Sequence, residues 1–298
     1  MHKVRDAAVI GAGPAGISAS IYLKRAGIDV VLLEHGEIGG LLRSANLVEN
    51  YPGFPEGISG LKLVSLFTEQ LGSLGIRPVK ALVESMEATE GGFKIETDGG
   101  PVYAKNVLVG TGTRPKELRL DGSQGPAGKR ISYDVNALHR KGRVLIVGGG
   151  DAAFDYALNL NAKGREVIII TRSKPKCLRL LLDRAKKERI AVAVGCTPLS
   201  VRTKKGRIEL GCRSGERTRI FAGDLVLVAV GRVPNTEVLY GLPKRFKVNG
   251  RGPETNIRGL YMIGDVLGGS YRQTGIAVGS GVLAAMMIEE SMRREESG

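Results

Sequence analysis

Two stretches of this 298-residue chain follow one plan. Residues 7–34 run from an apolar segment (Ala7–Ile10) through Gly11-Ala12-Gly13-Pro14-Ala15-Gly16 into an amphipathic segment, a second apolar run and Glu34. That order reads as strand, tight turn, helix, strand and acid, the βαβ unit that binds a dinucleotide. Gly11 permits the sharp exit from the strand, Gly13 lets the backbone approach a diphosphate with no Cβ in the way, and Gly16 lets the helix pack close to the sheet. The diphosphate then meets free N–H groups at the positive end of the helix, where Pro14 and Ala15 form the first turn. Glu34 lies 23 residues after Gly11, where a carboxylate accepts ribose hydroxyls. An ordinary glycine-rich turn would leave Glu34 unexplained.

The plan recurs 137 residues later, in residues 144–171. Gly148, Gly150 and Ala153 fall on Gly11, Gly13 and Gly16, with Asp151 and Ala152 opening the second helix; Gly164 falls on Gly27, Val167 on Val30 and Thr171 on Glu34. Two such units predict two dinucleotides, and the natural pairing is a flavin with a nicotinamide. The second unit ends not in an acid but in Thr171, followed by Arg172, Ser173, Lys174, Pro175 and Lys176. An acid there would repel a 2′-phosphate and a cationic cluster attracts it, so the second site is expected to prefer NADP to NAD. The alternative is a solvated basic loop.

Charge is unevenly placed. The net charge is +14, and between Arg114 and Glu237 there are 26 Lys/Arg against 12 Asp/Glu, while the remainder is neutral. Part of this excess would serve the phosphates of NADP, and the rest would steer an acidic partner protein, with a merely solvated surface as the alternative. No aromatic interleaving, zinc finger or helix-turn-helix pattern points to nucleic acid. Cys177, Cys196 and Cys212 make no disulfide framework and none is spaced Cys-x-x-Cys, which suggests a reducing, cytoplasmic setting and no metal site. His2, His35 and His139 are scattered and suggest neither ligands nor a catalytic pair. A hydrophobic content of 42% suffices for two cores. No leading apolar run has signal-peptide form, and none approaches the length of a membrane span.

Around the two units, Gly39-Gly40-Leu41-Leu42 forms a loop whose glycines allow close approach to a ligand, and Val48-Glu49-Asn50-Tyr51-Pro52-Gly53 is turn-rich. Leu61–Leu74 has the period of an amphipathic helix with Leu61, Val64, Phe67, Leu71 and Leu74 on one face. Residues 77–106 read as a β-meander, and 107–113 as a buried strand ending in small residues that include Thr111 and Gly112. Residues 225–236 repeat that strand and exit, with Gly231 in the turn, so the duplication covers whole domains. Leu178–Arg189 reads as a helix and further meander strands run to Arg219. Leu260–Asp265 is a last strand, and a final helix spans about 274–292. The expected fold class is α/β, with two Rossmann-like nucleotide-binding domains of the three-layer ββα type. The NADPH domain, 114–241, is inserted in a discontinuous FAD domain, 1–113 and 242–298. Two linkers, near 113–118 and 231–241, make a hinge.

The motifs from Gly11 to Gly16, Gly39-Gly40, Val48 to Gly53, Thr111-Gly112, Gly148-Gly149-Gly150, Gly231 with Pro234-Asn235-Thr236, Gly264-Asp265 and Arg272-Gln273 occur in this order over nearly the whole chain. Together they resemble the low-molecular-weight thioredoxin reductase family. The resemblance implies a homodimer with noncovalent FAD, Asp265 at its ribityl or diphosphate part and Arg272-Gln273 beside the isoalloxazine. The candidate FAD contacts are then Gly11, Gly13, Pro14, Ala15, Gly16, Glu34, Gly39, Gly40, Leu41, Leu42, Asn50, Val83, Thr111, Gly112, Asp265, Arg272, Gln273 and Thr274. The candidate NADP contacts are Gly148, Gly150, Asp151, Ala152, Ala153, Arg172, Lys174, Lys176 and Gly231.

Two departures bear on chemistry. The family's Cys-x-x-Cys lies just before the second glycine turn, and here Ile131–His139 holds no cysteine. Disulfide exchange needs one thiolate to attack and a second thiol to resolve, so the usual thioredoxin reductase mechanism is excluded. Leu41 also follows the glycine pair where the family usually has Gln. Residues 132–138 and Gly148-Gly149-Gly150-Asp151-Ala152-Ala153 look more like the thioredoxin-reductase-like ferredoxin–NADP reductases, a branch without the cysteine pair. That branch often adds a C-terminal segment whose aromatic ring covers the flavin, whereas here the final helix is followed by Arg293–Gly298.

The expected function is an FAD-dependent NAD(P)H oxidoreductase, passing electrons from NADPH through FAD to an acidic ferredoxin-like acceptor, with no side chain acting as catalytic acid or base. The alternatives are an oxidase or a quinone or dye reductase, an atypical thioredoxin-reductase-like protein using a single cysteine, and a flavin-bound redox sensor with little turnover.

Overall fold

The computed structural model describes residues 3–242, 247–248, 252–267, 269 and 271–297. His2, Gly268 of the glycine-rich loop and Gly298 lie outside them. The chain divides into two compact units, one of residues 1–43, 48–114 and 233–298, the other of residues 44–47 and 115–232.

The first unit begins with β1 (Val4–Ile10), α1 (Pro14–Arg25) and β2 (Val30–Glu34). β1 and β2 pair in parallel, Ala7 opposite Val30 and Ile10 opposite Leu33. α2 (Gly60–Ser73) starts at Ser59, whose Oγ accepts the Lys62 N–H at 3.3 Å. Its buried residues include Leu63, Val64 and Leu71, while Leu61 is 54% exposed rather than on the buried face. At 100° per residue the buried stripe of Gly60, Leu63, Val64 and Leu71 centres about 20° from Leu71 on the Leu63 side, which leaves Leu61 about 100° from the centre and Leu63 about 60°. β3 (Val79–Lys80), β4 (Val83–Thr89), β5 (Gly92–Thr97) and β6 (Val102–Val109) follow. β6 is continuous where the sequence suggested a meander strand and then a separate one. Residues 102–104 pair antiparallel with β5, and the strand also pairs in parallel with β1. One strand thus welds the meander to the parallel sheet.

The chain leaves this unit through β7 (Thr113–Pro115). The second unit comprises β8 (Ile131–Ser132), β9 (Val144–Val147), α3 (Asp151–Ala162), β10 (Val167–Thr171), α4 (Arg179–Lys187), β11 (Ala191–Val194), the antiparallel β12 (Thr197–Lys204), β13 (Arg207–Ser214) and β14 (Arg217–Gly223), and β15 (Leu225–Val228). Its parallel sheet has the order β11-β10-β9-β15-β8, with the meander β12-β13-β14 as a separate sheet. The return strand β16 (Arg232–Pro234) pairs with β7. β17 (Leu260–Met262) then adds to β6, and α5 (Thr274–Ser297) ends the chain. The sheet of the first unit has the order β3-β2-β1-β6-β5-β4.

The central strands are buried on both faces, as parallel strands between two layers must be. Ala7 and Val9 point to a core shared with α1 and α5 residues such as Ile17, Leu23 and Ala284, while Ala8 and Ile10 point to one shared with the meander residues Met86, Phe93 and Ile95. The second unit repeats this. Val144 and Ile146 face Phe154 and Leu160 of α3, and Leu145 and Val147 face Val201, Ile208 and Leu210 of its meander. Each unit is therefore a helix–sheet–meander stack, the two Rossmann-like domains of the expected class.

The return crossing lies at Arg232/Val233, inside the expected 231–241 linker, and Val238, Leu239 and Leu242 are already buried in the meander-side core of the first unit. Against the expectation that no apolar run has the length of a membrane span, α5 over Thr274–Glu295 has a mean hydropathy of 1.2 and is long and apolar enough to cross a membrane by length and composition alone. That character has a local use. A Cβ on Gly281 would stand 2.1 Å from the Ala15 carbonyl oxygen, so small residues let α5 lie directly on α1.

Candidate functional site

In the first unit, α1 begins at Gly13 without a side-chain cap, and nothing lies within 4 Å of where a Gly13 Cβ would be. The space beside Gly13 is open and the helix start carries no side-chain cap, which fits an incoming diphosphate. The turn behind them is tight. Gly11 has φ +102° and a Cβ there would meet the Gly110 carbonyl oxygen at 2.4 Å; one on Gly16 would meet the Gly11 oxygen at 1.9 Å. Pro14 and Ala15 open the helix, with Ala15 buried.

Glu34 does more than the sequence suggested. Its Oε2 accepts the Ala12 N–H and its Oε1 the Gly36 N–H, both at 2.7 Å. The acid thus holds the glycine turn, and a carboxylate has lone pairs left for a ribose. The Gly39 N–H donates to the Ala12 oxygen at 2.7 Å, and a Cβ on Gly40 would lie 3.7 Å from Gly13 Cα, so the second glycine loop closes on the same turn. Leu41 is 40% exposed, whereas the Leu42 side chain is buried. Gly264 comes against the helix from the other side, a Cβ there falling 2.9 Å from Ala15 Cβ. Its N–H is held by Ser280 Oγ at 2.8 Å, and Asp265 follows in a 3-10 turn.

Thr111 and Gly112 are fixed by Asn235, a residue of the family motif that is not among the candidate FAD contacts. Thr111 Oγ1 donates to the Asn235 oxygen at 2.6 Å, Asn235 Nδ2 to the Thr111 oxygen at 3.0 Å, and the Asn235 N–H to the Gly112 oxygen at 3.0 Å. Asn50 Nδ2 donates to Gln273 Oε1 at 2.6 Å, which joins two candidates 223 residues apart. Arg272 has a buried Nε without a hydrogen-bond partner, a donor that a bound ligand can satisfy. Thr274 begins α5. Val83 is half-buried against the meander-side core, and nothing here joins it to the glycine turn. Tyr51 stacks on Phe54, with ring centroids 6.4 Å apart, and burial raises its hydroxyl pKa. The sequence offered it only as part of a turn.

The second unit repeats the turn with different fastenings. α3 begins at Gly150 with no side-chain cap and open space at its Cβ position, and a Cβ on Gly148 would meet the Ala229 oxygen at 2.3 Å. Ala152 is exposed in the first turn of α3 and Ala153 is buried. Thr171 matches Glu34 in sequence, but its Oγ1 donates to the Ser173 oxygen at 2.9 Å. The basic loop is tied back to the turn instead, by the Lys176 N–H to the Gly149 oxygen at 2.7 Å and the Leu178 N–H to Asp151 Oδ1 at 2.8 Å. Arg172, Lys174 and Lys176 are all exposed. Gly231, with open space at its Cβ position, follows β15.

The cysteine-free stretch Ile131–His139 forms a polar turn. Ser132 Oγ accepts the Asp134 N–H at 3.1 Å, and Asp134 Oδ1 accepts the Asn136 N–H at 2.9 Å. Cys196 and Cys212 are buried, and burial pushes the Cys212 thiol up to about 12; Cys177 is half-buried and its thiol is also raised, chiefly by burial. None of the three is a ready nucleophile. Among the described residues no cluster of His, Cys, Asp or Glu could hold a metal ion.

Known proteins agree with this architecture. The chain is 31% identical over 305 residues to a thioredoxin reductase of Streptomyces clavuligerus, covering 97% of this chain and 94% of that protein. It is 30% identical over 311 residues to one of Mycolicibacterium smegmatis, covering 99% of each. The crystal structure of Lactococcus lactis thioredoxin reductase superposes with a TM-score of 0.88 at 28% identity, over 96% of this chain and 98% of that one. That of T. acidophilum thioredoxin reductase gives 0.88 at 30%, over 98% and 99%. The family uses FAD and NADPH. Residues 5–281 match the pyridine nucleotide-disulphide oxidoreductase family, and with a glycine turn in each of its two units the chain belongs to that family.

Proposed function

We propose that this enzyme takes electrons from NADPH through FAD and delivers them to an acidic iron–sulfur protein of the ferredoxin class, acting as a homodimer. The observation that carries the reading is the polar turn Ser132-Asp134-Asn136, in a cysteine-free stretch where the resemblance would put the thiol pair, beside two glycine turns of the kind that bind dinucleotides. Without a Cys-x-x-Cys pair to relay them, electrons would leave the flavin directly. FAD, when bound, accepts two electrons from a reduced nicotinamide and can release them one at a time.

The chain's own residues bind and orient. Gly11, Gly13 and the first turn of α1 would receive the FAD diphosphate, with Glu34 turned to its ribose. Asp265, Arg272 and Gln273 would border the remainder, the buried Arg272 Nε finding its acceptor there. Gly148, Gly150 and the first turn of α3 would receive the NADPH diphosphate, and Arg172, Lys174 and Lys176 its 2′-phosphate. The second unit carries 25 Lys/Arg against 11 Asp/Glu between Pro115 and Arg232, a field that attracts an acidic partner.

The test is anaerobic, NADPH-driven cytochrome c reduction by the FAD-loaded protein, with and without ferredoxin. Dependence on ferredoxin that fades with salt supports the reading. Bleaching of the flavin by NADPH with no ferredoxin effect replaces the acceptor by a small molecule such as a quinone, and no bleaching by either nicotinamide favours a sensor.

A further inference from the structure

Asp151 is a carboxylate in the first turn of the helix whose N-terminus is the expected seat of the NADPH diphosphate. A fixed negative charge there favours the helix dipole but opposes a dianion. Its Oδ1 is engaged by the Leu178 N–H at 2.8 Å, and two residues earlier in the turn the Gly149 oxygen takes the Lys176 N–H at 2.7 Å. With Thr171 Oγ1 on the Ser173 oxygen at 2.9 Å, the segment from Thr171 to Leu178 is a closed strap lying back on the glycine turn. Its cationic side chains Arg172, Lys174 and Lys176 are solvent-facing, so the strap's backbone, not their packing, decides where they stand.

We infer that Asp151 is a positioning residue that sets 2′-phosphate selectivity through this strap, and not a direct contact of the dinucleotide. The inference rests on the NADP site proposed above. It opposes the simple electrostatic role. If Asp151 acted only by its charge, both Asp151→Ala and Asp151→Asn would bind phosphates more tightly. If it acts by holding Leu178, Asp151→Asn keeps an acceptor oxygen and Asp151→Ala does not.

The experiment uses the FAD-loaded protein and two fragments, 2′,5′-ADP and 5′-AMP, with binding read by calorimetry and folding by circular dichroism and retained flavin absorbance. The wild type is expected to prefer 2′,5′-ADP. Asp151→Ala should lose on the order of tenfold in affinity for 2′,5′-ADP while 5′-AMP changes about twofold or less, and Asp151→Asn should stay near wild type. Steady-state kinetics should show the Ala loss in KM for NADPH with kcat little changed. Unchanged or tighter 2′,5′-ADP binding by Asp151→Ala, or equal losses for both fragments, overturns the inference while leaving the NADP site standing. A wild type that does not distinguish the fragments overturns the NADP reading itself.

Discussion

The Glu34 carboxylate accepts the Ala12 N–H at 2.7 Å, so the acid that ends the first βαβ unit also braces the glycine turn at its start. The second unit has Thr171 in the matching position, and its turn is braced from a basic loop instead. The exchange of one brace for the other is what makes the two turns chemically different sites.

Glu34→Ala should therefore damage structure as well as binding. It leaves the Ala12 and Gly36 N–H groups without acceptors, and an unsatisfied donor costs about 1–3 kcal/mol where buried. Retained FAD and the melting temperature should both fall, with Glu34→Gln between the mutant and the wild type. A melting temperature unchanged in Glu34→Ala would show that the brace carries no weight.

Gly13 and Gly16 should separate folding from ligand binding. A Cβ on Gly13 meets nothing within 4 Å, so Gly13→Ala should alter apoprotein stability by less than about 1 kcal/mol yet cut FAD affinity by obstructing the diphosphate. On Gly16 the Cβ would stand 1.9 Å from the Gly11 oxygen, and Gly16→Ala should lower apoprotein stability outright. Denaturant melts of the two apoproteins, followed by flavin titration, make the comparison.

Arg172→Ala should raise KM for NADPH on the order of tenfold and leave that for NADH nearly unchanged, since a charge-assisted contact to phosphate contributes about 1.5–3 kcal/mol. Equal effects on both nicotinamides would place the 2′-phosphate elsewhere.

Ferredoxin-dependent turnover should fall steeply between about 0.01 and 0.5 M salt, as the Debye length shrinks from about 30 Å to a few ångströms. NADPH bleaching of the flavin should fall less. Parallel losses in the two assays would assign the salt effect to NADPH binding alone.

Cys212 gives a pH signature. Its folded thiol is raised from the ordinary 9.0 to about 12, so the unfolded chain releases this proton first. The contribution is fully present below pH 9 and is lost as pH rises from 9 towards 12, with stability falling over that window. Cys212→Ser should flatten this limb in urea melts taken at increasing pH. Alkylation of the native protein should leave turnover intact.

Much of this was legible in the sequence because it is local. A strand, a glycine turn and a helix occupy adjacent residues, and the spacing of Gly11, Gly13 and Gly16 states the turn geometry directly. The alternation Ala7/Val9 against Ala8/Ile10 likewise announces a strand with two buried faces. The helical period of Leu61–Leu74 placed α2 but misjudged Leu61, because periodicity fixes a stripe and not its edges.

What spanned long separations was not legible. The sequence alone determined that there are two glycine turns of one plan, that the second lacks a terminal acid, that no Cys-x-x-Cys is present and that the charge is gathered on one unit. Only the tertiary structure decided that β6 serves both sheet and meander, that Asn235 clamps Thr111 and Gly112, that Asn50 meets Gln273, and that Asp151 holds Leu178. The reason is physical. Turn geometry is written in the steric limits of neighbouring residues, whereas a polar side chain's partner depends on which distant backbone group packing leaves within hydrogen-bond reach.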